Sequence, residues 1–275
     1  MEYKKPVLIV TALRAEANPL IEHFGLQPVK NSHVKLYQKD SIRLLIFGLG
    51  KKKADASVTE FLNIFPDEYL LVNIGIAGGN PKVTDIGDMY AVHRIHDESS
   101  GREWFPDMLI KHELKEMSIT TVESAVTDGA GSFTGLVDME ASAVFESTVK
   151  SIPSHRMVFL KIVSDTMDEL EFSGINVPAL IESHLSEIER IIRLYQHSGI
   201  WNEPILEGHE LSQLSDGINT MKLTATQSEE LRRLAEGKKL RSGTVDKLWT
   251  MMEHPPESKK ERNDRFEQIR QFLSS

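Results

Sequence analysis

Over the first two hundred residues, continuous apolar runs alternate with stretches of helical spacing. Pro6-Val7-Leu8-Ile9-Val10 is an unbroken apolar run, the pattern of a strand buried on both faces. Leu13, Ala17, Leu20, Ile21 and Phe24 then recur at helical spacing, and Gly25 is placed to stop the helix. Residues 34–38 and 42–47 predict two paired strands joined by a turn at Lys39-Asp40-Ser41. A helix follows with Ala54, Val58, Phe61 and Leu62 on one face. Residues 69–74 predict a buried strand that gives way to Gly75-Ile76-Ala77-Gly78-Gly79. Strands are expected at 89–95, 118–122 and 156–163. Helices are expected from about 138 to 149 and from 179 to 195, the second carrying Leu180, Ile181, Leu185, Ile188, Ile191, Ile192 and Tyr195 on its core face. Alternation of this kind predicts an α/β fold, a mixed central sheet flanked by helices.

The rhythm changes after Gln196. Residues 198–219 carry Gly199, Pro204, Gly208 and Gly217 and read as a loop, and short helical runs follow at 227–237, 244–252 and 261–273. The charge balance changes with it. Residues 1–221 hold 20 Lys+Arg against 32 Asp+Glu, whereas residues 222–275 hold 12 against 9. The expected organisation is therefore an α/β domain over 1–197, a linker over 198–221 and a small α-helical appendage over 222–275. Isolated helices of that length are marginal in water, so they must pack on each other, on the core or on a partner. Their apolar set is Leu231, Leu234, Leu240, Leu248, Trp249, Met251, Met252, Phe266, Ile269 and Leu273.

Composition narrows the function classes. There is no cysteine, so disulfides and thiolate metal sites are out. No apolar run approaches the length of a membrane span or of an export signal, and a cytoplasmic protein is expected. Acids interleave with the bases of the tail, which argues against nucleic-acid binding. His93 and His96 would face opposite sides of an extended segment, so no metal is expected there. Nothing in the chain asks for a cofactor.

Acidic residues fall where strands end. Glu16 lies just past the first strand, Glu140 opens a helix and Asp165 ends the 156–163 strand. In α/β sheets ligands bind outside the carboxyl ends of the strands, so the three acids are candidates for one cleft. Several segments carry a resemblance. Ala12-Leu13-Arg14-Ala15-Glu16 resembles the first motif of the methylthioadenosine and adenosylhomocysteine nucleosidases, members of the purine nucleoside phosphorylase superfamily. Asn73-Ile74-Gly75-Ile76-Ala77-Gly78-Gly79 with the later Gly87-Asp88 resembles their glycine-rich strand end. Asp138-Met139-Glu140-Ala141-Ser142-Ala143 resembles their methionine-glutamate-alanine signature, and Lys161-Ile162-Val163-Ser164-Asp165 their strand ending in Ser-Asp. Gly48-Leu49-Gly50-Lys51 matches a glycine turn in the expected order. The resemblance covers residues 5–196 and excludes the tail.

The resemblance implies cleavage of the N-glycosidic bond of a purine, adenosyl-type nucleoside. Asp165 would be the general acid at the base nitrogen and Glu16 the base for the attacking water. Glu140 would accept hydrogen bonds from the ribose hydroxyls, and Met139 would pack on the sugar. Ala77, Gly78, Ser164 and Val126 would complete the substrate site. It also implies a homo-oligomer, at least a dimer. Three departures stand out. Ile76 occupies a position where those hydrolases carry a small polar residue. The segment from 96 to 137 is short. No aromatic residue is evident to stack on a purine, with Val126 nearest and Trp104 or Phe105 as substitutes. Phosphorolysis remains open because Arg14 could reach a phosphate, and so does a non-catalytic nucleoside-binding protein on the same fold.

Overall fold

The computed structural model describes residues 5–168, 174–201, 205–206 and 208–274. The chain divides into two compact units, Met1–Ile200 and Trp201–Ser275.

The first unit opens with β1 (Val7–Thr11), α1 (Arg14–Phe24), β2 (Gln27–Pro28), β3 (Lys35–Lys39), β4 (Ile42–Ile46), α2 (Lys51–Ile64) and β5 (Leu70–Gly79). It continues through β6 (Met89–Asp97), β7 (Glu103–Trp104), β8 (Lys115–Thr121), β9 (Leu136–Asp138), α3 (Ala141–Thr148), β10 (Met157–Asp165), α4 (Val177–Glu182) and α5 (Leu185–Gln196). All five residues of β1 are buried, as an apolar run without alternation requires. The face of α2 that is buried is Ala54, Val58, Phe61 and Leu62. The hairpin between β3 and β4 turns at Asp40, whose φ of 51° is a conformation that Asp tolerates better than most residues.

One strand organises the sheet. β5 pairs along one edge with β10, in parallel. Along its other edge it pairs first with β1, over Leu70 to Asn73, and then with β9 at Gly78 and Gly79. From β10 the ladder runs antiparallel to β6, parallel to β8 and parallel to β9, which returns to β5. Five strands thus close a ring, while β1, β4, β3 and β2 extend from it as an open wing. Between Asn73 and Gly78 no strand among the described residues covers the β1/β9 edge of β5. That gap lies beyond the carboxyl end of β1, where strands diverge and a crevice forms.

Three expectations for the first unit need correction. Asp138 does not start a helix; it ends β9, and its Oδ2 accepts the Ala141 N–H at 2.9 Å, a side-chain cap that starts α3 three residues later. The helix expected over 179–195 is two helices, α4 and α5, separated at Ser183 and His184. There the His184 ring lies 2.7 Å from the Gly87 carbonyl. Glycine at 75, 78 and 79 does not end β5, which runs on to Gly79. The space their missing Cβ atoms leave is taken by Glu16, Met167 and Thr84 side chains.

The second unit holds α6 (Gly208–Thr220), α7 (Ala225–Ser242), α8 (Asp246–Met251) and α9 (Lys259–Ser274). The stretch expected as a linker over 198–221 is therefore largely helical. Leu214 of α6 is buried in one apolar cluster with Leu206, Met221, Leu231, Leu248, Phe266, Ile269 and Leu273, so α6 belongs to the helical unit and the appendage begins earlier than charge suggests. α7 starts at a capping box of Thr224 with Gln227 and runs to Ser242. Leu240, expected in the apolar set, is 71% exposed, because its face of α7 turns away from that cluster. No helix among the described residues is long and apolar enough to cross a membrane.

Candidate active site

The crevice beside β5 is a cavity of about 180 Å³. All eight residues expected at a substrate site line it: Glu16, Ala77, Gly78, Val126, Met139, Glu140, Ser164 and Asp165. The wall is mostly aliphatic, with Leu13, Leu49, Ile76, Val122 and Met167 among the others. Among its described lining residues there is no aromatic ring and no lysine, arginine or histidine.

Glu16 stands in the first turn of α1 and is 2% exposed. Its Oε2 accepts the N–H groups of Ala12 at 3.0 Å and Leu13 at 2.8 Å, and its Oε1 accepts the N–H of Ile76 at 3.0 Å. The third bond satisfies a β5 amide in the gap where β5 has no strand partner. Buried backbone donors require such a partner, so the carboxylate completes the sheet edge as well as facing the cleft. A Cβ on Gly75 would fall 2.9 Å from Glu16 Oε1; glycine there makes room for the acid. Burial raises the Glu16 carboxyl above its ordinary value, against the lowering pull of the backbone donors and of Lys161.

Glu140 sits at the N-cap of α3 and accepts the Gly50 N–H at 2.7 Å. Burial, with the neighbouring charge of Asp138, raises its carboxyl to about 7. Asp165 ends β10. Its Oδ2 accepts the Ser164 hydroxyl at 2.6 Å and its Oδ1 accepts the Met167 N–H at 2.8 Å.

Beneath the acids lies a further buried group, Lys161. Lys161 Nζ pairs with Asp138 Oδ2 at 2.9 Å, with side chains 3% and 1% exposed. Asp138 also accepts the Thr121 hydroxyl at 2.8 Å. Burial acts to lower the Lys161 ammonium, but the charges of Asp138, Glu140 and Glu16 outweigh it and hold the group above its ordinary value. Its signal was present: a single lysine inside the otherwise apolar strand Met157–Val163 must carry a buried partner. Met167 is the second omission, and nothing in the sequence pattern marks it.

Other candidates lie elsewhere. Trp104 packs on Phe145 and Phe105 is 56% exposed, so neither lines the cavity, and the substitute aromatic wall is not formed by them. Arg14 bonds Asn18 and Tyr37 on the surface. Arg43 bonds Tyr69 and lies over Phe65. Asp97 accepts from Lys51, Ser99, Ser100 and Ser142, and these bonds hold its carboxyl far below the ordinary range in spite of burial.

No family profile matches the sequence, and no curated protein matches it. Solved structures match it in fold. The 5′-methylthioadenosine nucleosidase of Arabidopsis thaliana, in apo form, aligns with a TM-score of 0.59 at 21% identity, over 68% of this chain and 96% of that one. The 5′-methylthioadenosine/S-adenosylhomocysteine nucleosidase of Neisseria meningitidis, in complex with methylthio-immucillin-A, aligns with a TM-score of 0.57 at 19% identity, over 68% of this chain and 99% of that one. A futalosine hydrolase mutant of Helicobacter pylori aligns with a TM-score of 0.54 at 17% identity, over 70% and 98%. The chain has the nucleosidase-like α/β fold, with C-terminal helices beyond those structures.

Proposed function

We propose that this chain is a nucleosidase that hydrolyses the N-glycosidic bond of a purine, adenosyl-type nucleoside. The observation that carries the reading is the convergence of Glu16, Glu140 and Asp165 on one cavity together with Met139, Ser164, Ala77, Gly78 and Val126. Bond cleavage builds positive charge on the ribose and negative charge on the leaving base. Asp165 protonates the base at N7, and Ser164 orients it. Glu140 accepts hydrogen bonds from the ribose hydroxyls, with Met139 against the sugar. Glu16 takes a proton from the water that attacks the anomeric carbon. Burial, which raises its carboxyl, favours its taking up that proton. No metal or cofactor enters the scheme. We take the enzyme to be cytoplasmic and at least a homodimer.

Water is favoured over phosphate as the nucleophile. An anion needs cationic or hydrogen-bonding partners, and no cation is found among the described lining residues. Arg14, weighed as a phosphate ligand, is engaged at the surface with Asn18 and Tyr37.

Incubation with a panel of purine nucleosides, with and without inorganic phosphate, tests the proposal. Free base and a free sugar without phosphate are expected. A sugar 1-phosphate formed only with phosphate would replace hydrolysis by phosphorolysis. Absence of free base from every nucleoside under both conditions would overturn the enzymatic reading in favour of a nucleoside-binding protein.

A further inference from the structure

Among the described lining residues, Met167 is the one buried residue with left-handed backbone. Its φ is 63°, a region that costs any residue with a side chain and is enriched at functional sites. Two bonds pin it there. Its N–H donates to Asp165 Oδ1 at 2.8 Å, and its carbonyl accepts the Gly129 N–H at 2.7 Å. An adjoining bridge joins Asp128 and Asp168. The loop between β8 and β9 thus braces the turn that follows β10.

The side chain of Met167 turns back over the cavity. It is 2% exposed and packs with Val122, Val126, Val137 and Met139. A Cβ on Gly78 would fall 2.6 Å from Met167 Cγ and 3.3 Å from Asp165 Oδ1. Gly78 therefore admits the thioether chain and the acid side by side. Ala130 and Phe133 pack in the same cluster, but the part of it among the described cavity lining is methionine and valine, with no ring.

Resting on the nucleosidase reading, we propose that Met167 has two roles in that reaction. It is a positioning residue, whose left-handed peptide N–H fixes the Asp165 carboxyl. It is also a specificity-determining residue, whose side chain is the apolar seat of the base. The two roles separate by substitution. Met167→Leu keeps bulk and an unbranched Cβ, and Leu and Met exchange well in apolar sites. Met167→Ala removes the seat and leaves the backbone able to hold its conformation. Met167→Ile keeps volume but puts a β-branch where left-handed backbone tolerates it least.

The test measures kcat and KM with a nucleoside that the wild-type chain cleaves. It also measures Kd for formycin A, whose carbon–carbon link between base and ribose cannot be hydrolysed. Met167→Ala is expected to raise KM and Kd by about tenfold or more, the usual effect of methylenes missing from an apolar pocket, with kcat little changed. Met167→Ile is expected to lower kcat by about 10–100-fold through misplacement of Asp165, with Kd little changed. Met167→Leu is expected to restore both. A folded Met167→Ala chain with wild-type KM and Kd would overturn the seat, and a Met167→Ile chain with wild-type kcat would overturn the positioning role. Equal impairment of Met167→Leu and Met167→Ala would reduce Met167 to a packing residue. If formycin A binds but no nucleoside is cleaved, the nucleosidase reading fails, and a Kd series in which Met167→Ala binds worse and Met167→Leu does not still supports the seat. Failure of the wild-type chain to bind formycin A overturns the seat as well.

Discussion

Replacing Lys161 with methionine removes the buried cation among three buried carboxyl groups while leaving the strand its apolar bulk. The Lys161–Asp138 pair is 2.9 Å long and almost fully enclosed. At an effective dielectric of about 20, a unit charge pair at that distance attracts by about 6 kcal/mol. Desolvation cancels part of it, and removing one partner of such a pair typically costs about 3–5 kcal/mol. Asp138 keeps the Thr121 hydroxyl and the Ala141 N–H, which places the expected loss near the low end, about 3 kcal/mol. The loss should grow with pH. Burial already raises Glu16 and Glu140, and without Lys161 both rise further. A carboxyl raised in the folded state stabilises the fold below its unfolded value and loses that contribution as pH climbs through the folded value. The deficit of Lys161→Met is therefore smaller at pH 5 than at pH 8. Urea titrations read by hydrogen exchange at β5 and β10 amides report the first unit alone. Lys161→Met combined with Asp138→Asn, which removes both charges, should recover much of the loss. A pH-independent deficit, a deficit under about 1 kcal/mol at pH 8 where about 3 is expected, or a double variant no better than the single would refute the argument.

Asp165→Asn should lower turnover by about 10²–10⁴, the range for loss of a general acid, with unchanged circular dichroism; near-normal turnover would remove Asp165 from the mechanism. Glu140 carries its proton below about 7, and the ribose hydroxyls need its ionised form as acceptor. Wild-type kcat/KM should therefore climb between pH 6 and 8, and Glu140→Gln should abolish both that rise and the preference for ribo- over 2′-deoxynucleosides. Equal rates on the two sugars in the wild-type chain would sink the role. A chain ending at Ile200 should keep full turnover in the panel assay, since every described residue lining the cavity falls between Ala12 and Met167. A chain ending at Met221 should aggregate, because it keeps Leu206, Leu214 and Met221 without the helices that bury them.

Much of this architecture is legible in the residues themselves. The apolar run at the N-terminus and the spacing of Ala54, Val58, Phe61 and Leu62 report burial directly, because each pattern is local. The site acids are legible for a related reason: their motifs sit at strand ends, and strand ends converge. Lys161 is anomalous in its apolar strand, but its partner is hidden from any periodicity, because Asp138 lies in a strand of three residues. Met167 is illegible because its importance comes from a backbone angle and from the absent Cβ of Gly78, contacts that only the folded chain brings together. Leu214 and Met221 read as linker in the sequence because Gly208 and Gly217 dominate the local pattern. In the fold Gly217 instead gives room to Met252.

The ring of five strands has a consequence for how the chain is made. Its closing member, β10, is the last strand among the described residues and pairs on both sides, with β5 and with β6. Until residues 157–165 leave the ribosome, the β10-facing edge of β5 lacks its final partner. That edge runs from Leu71 to Gly78, a largely apolar segment of the kind that pairs with other chains when exposed. Non-local pairing also makes this closure slow relative to local helix formation. Chains stalled or cut between β9 and β10 should therefore be the aggregation-prone products of synthesis, and holdase chaperones should bind them in preference to the finished chain. Asp165, at the last position of that closing strand, becomes part of the cavity only at the step that removes the hazard.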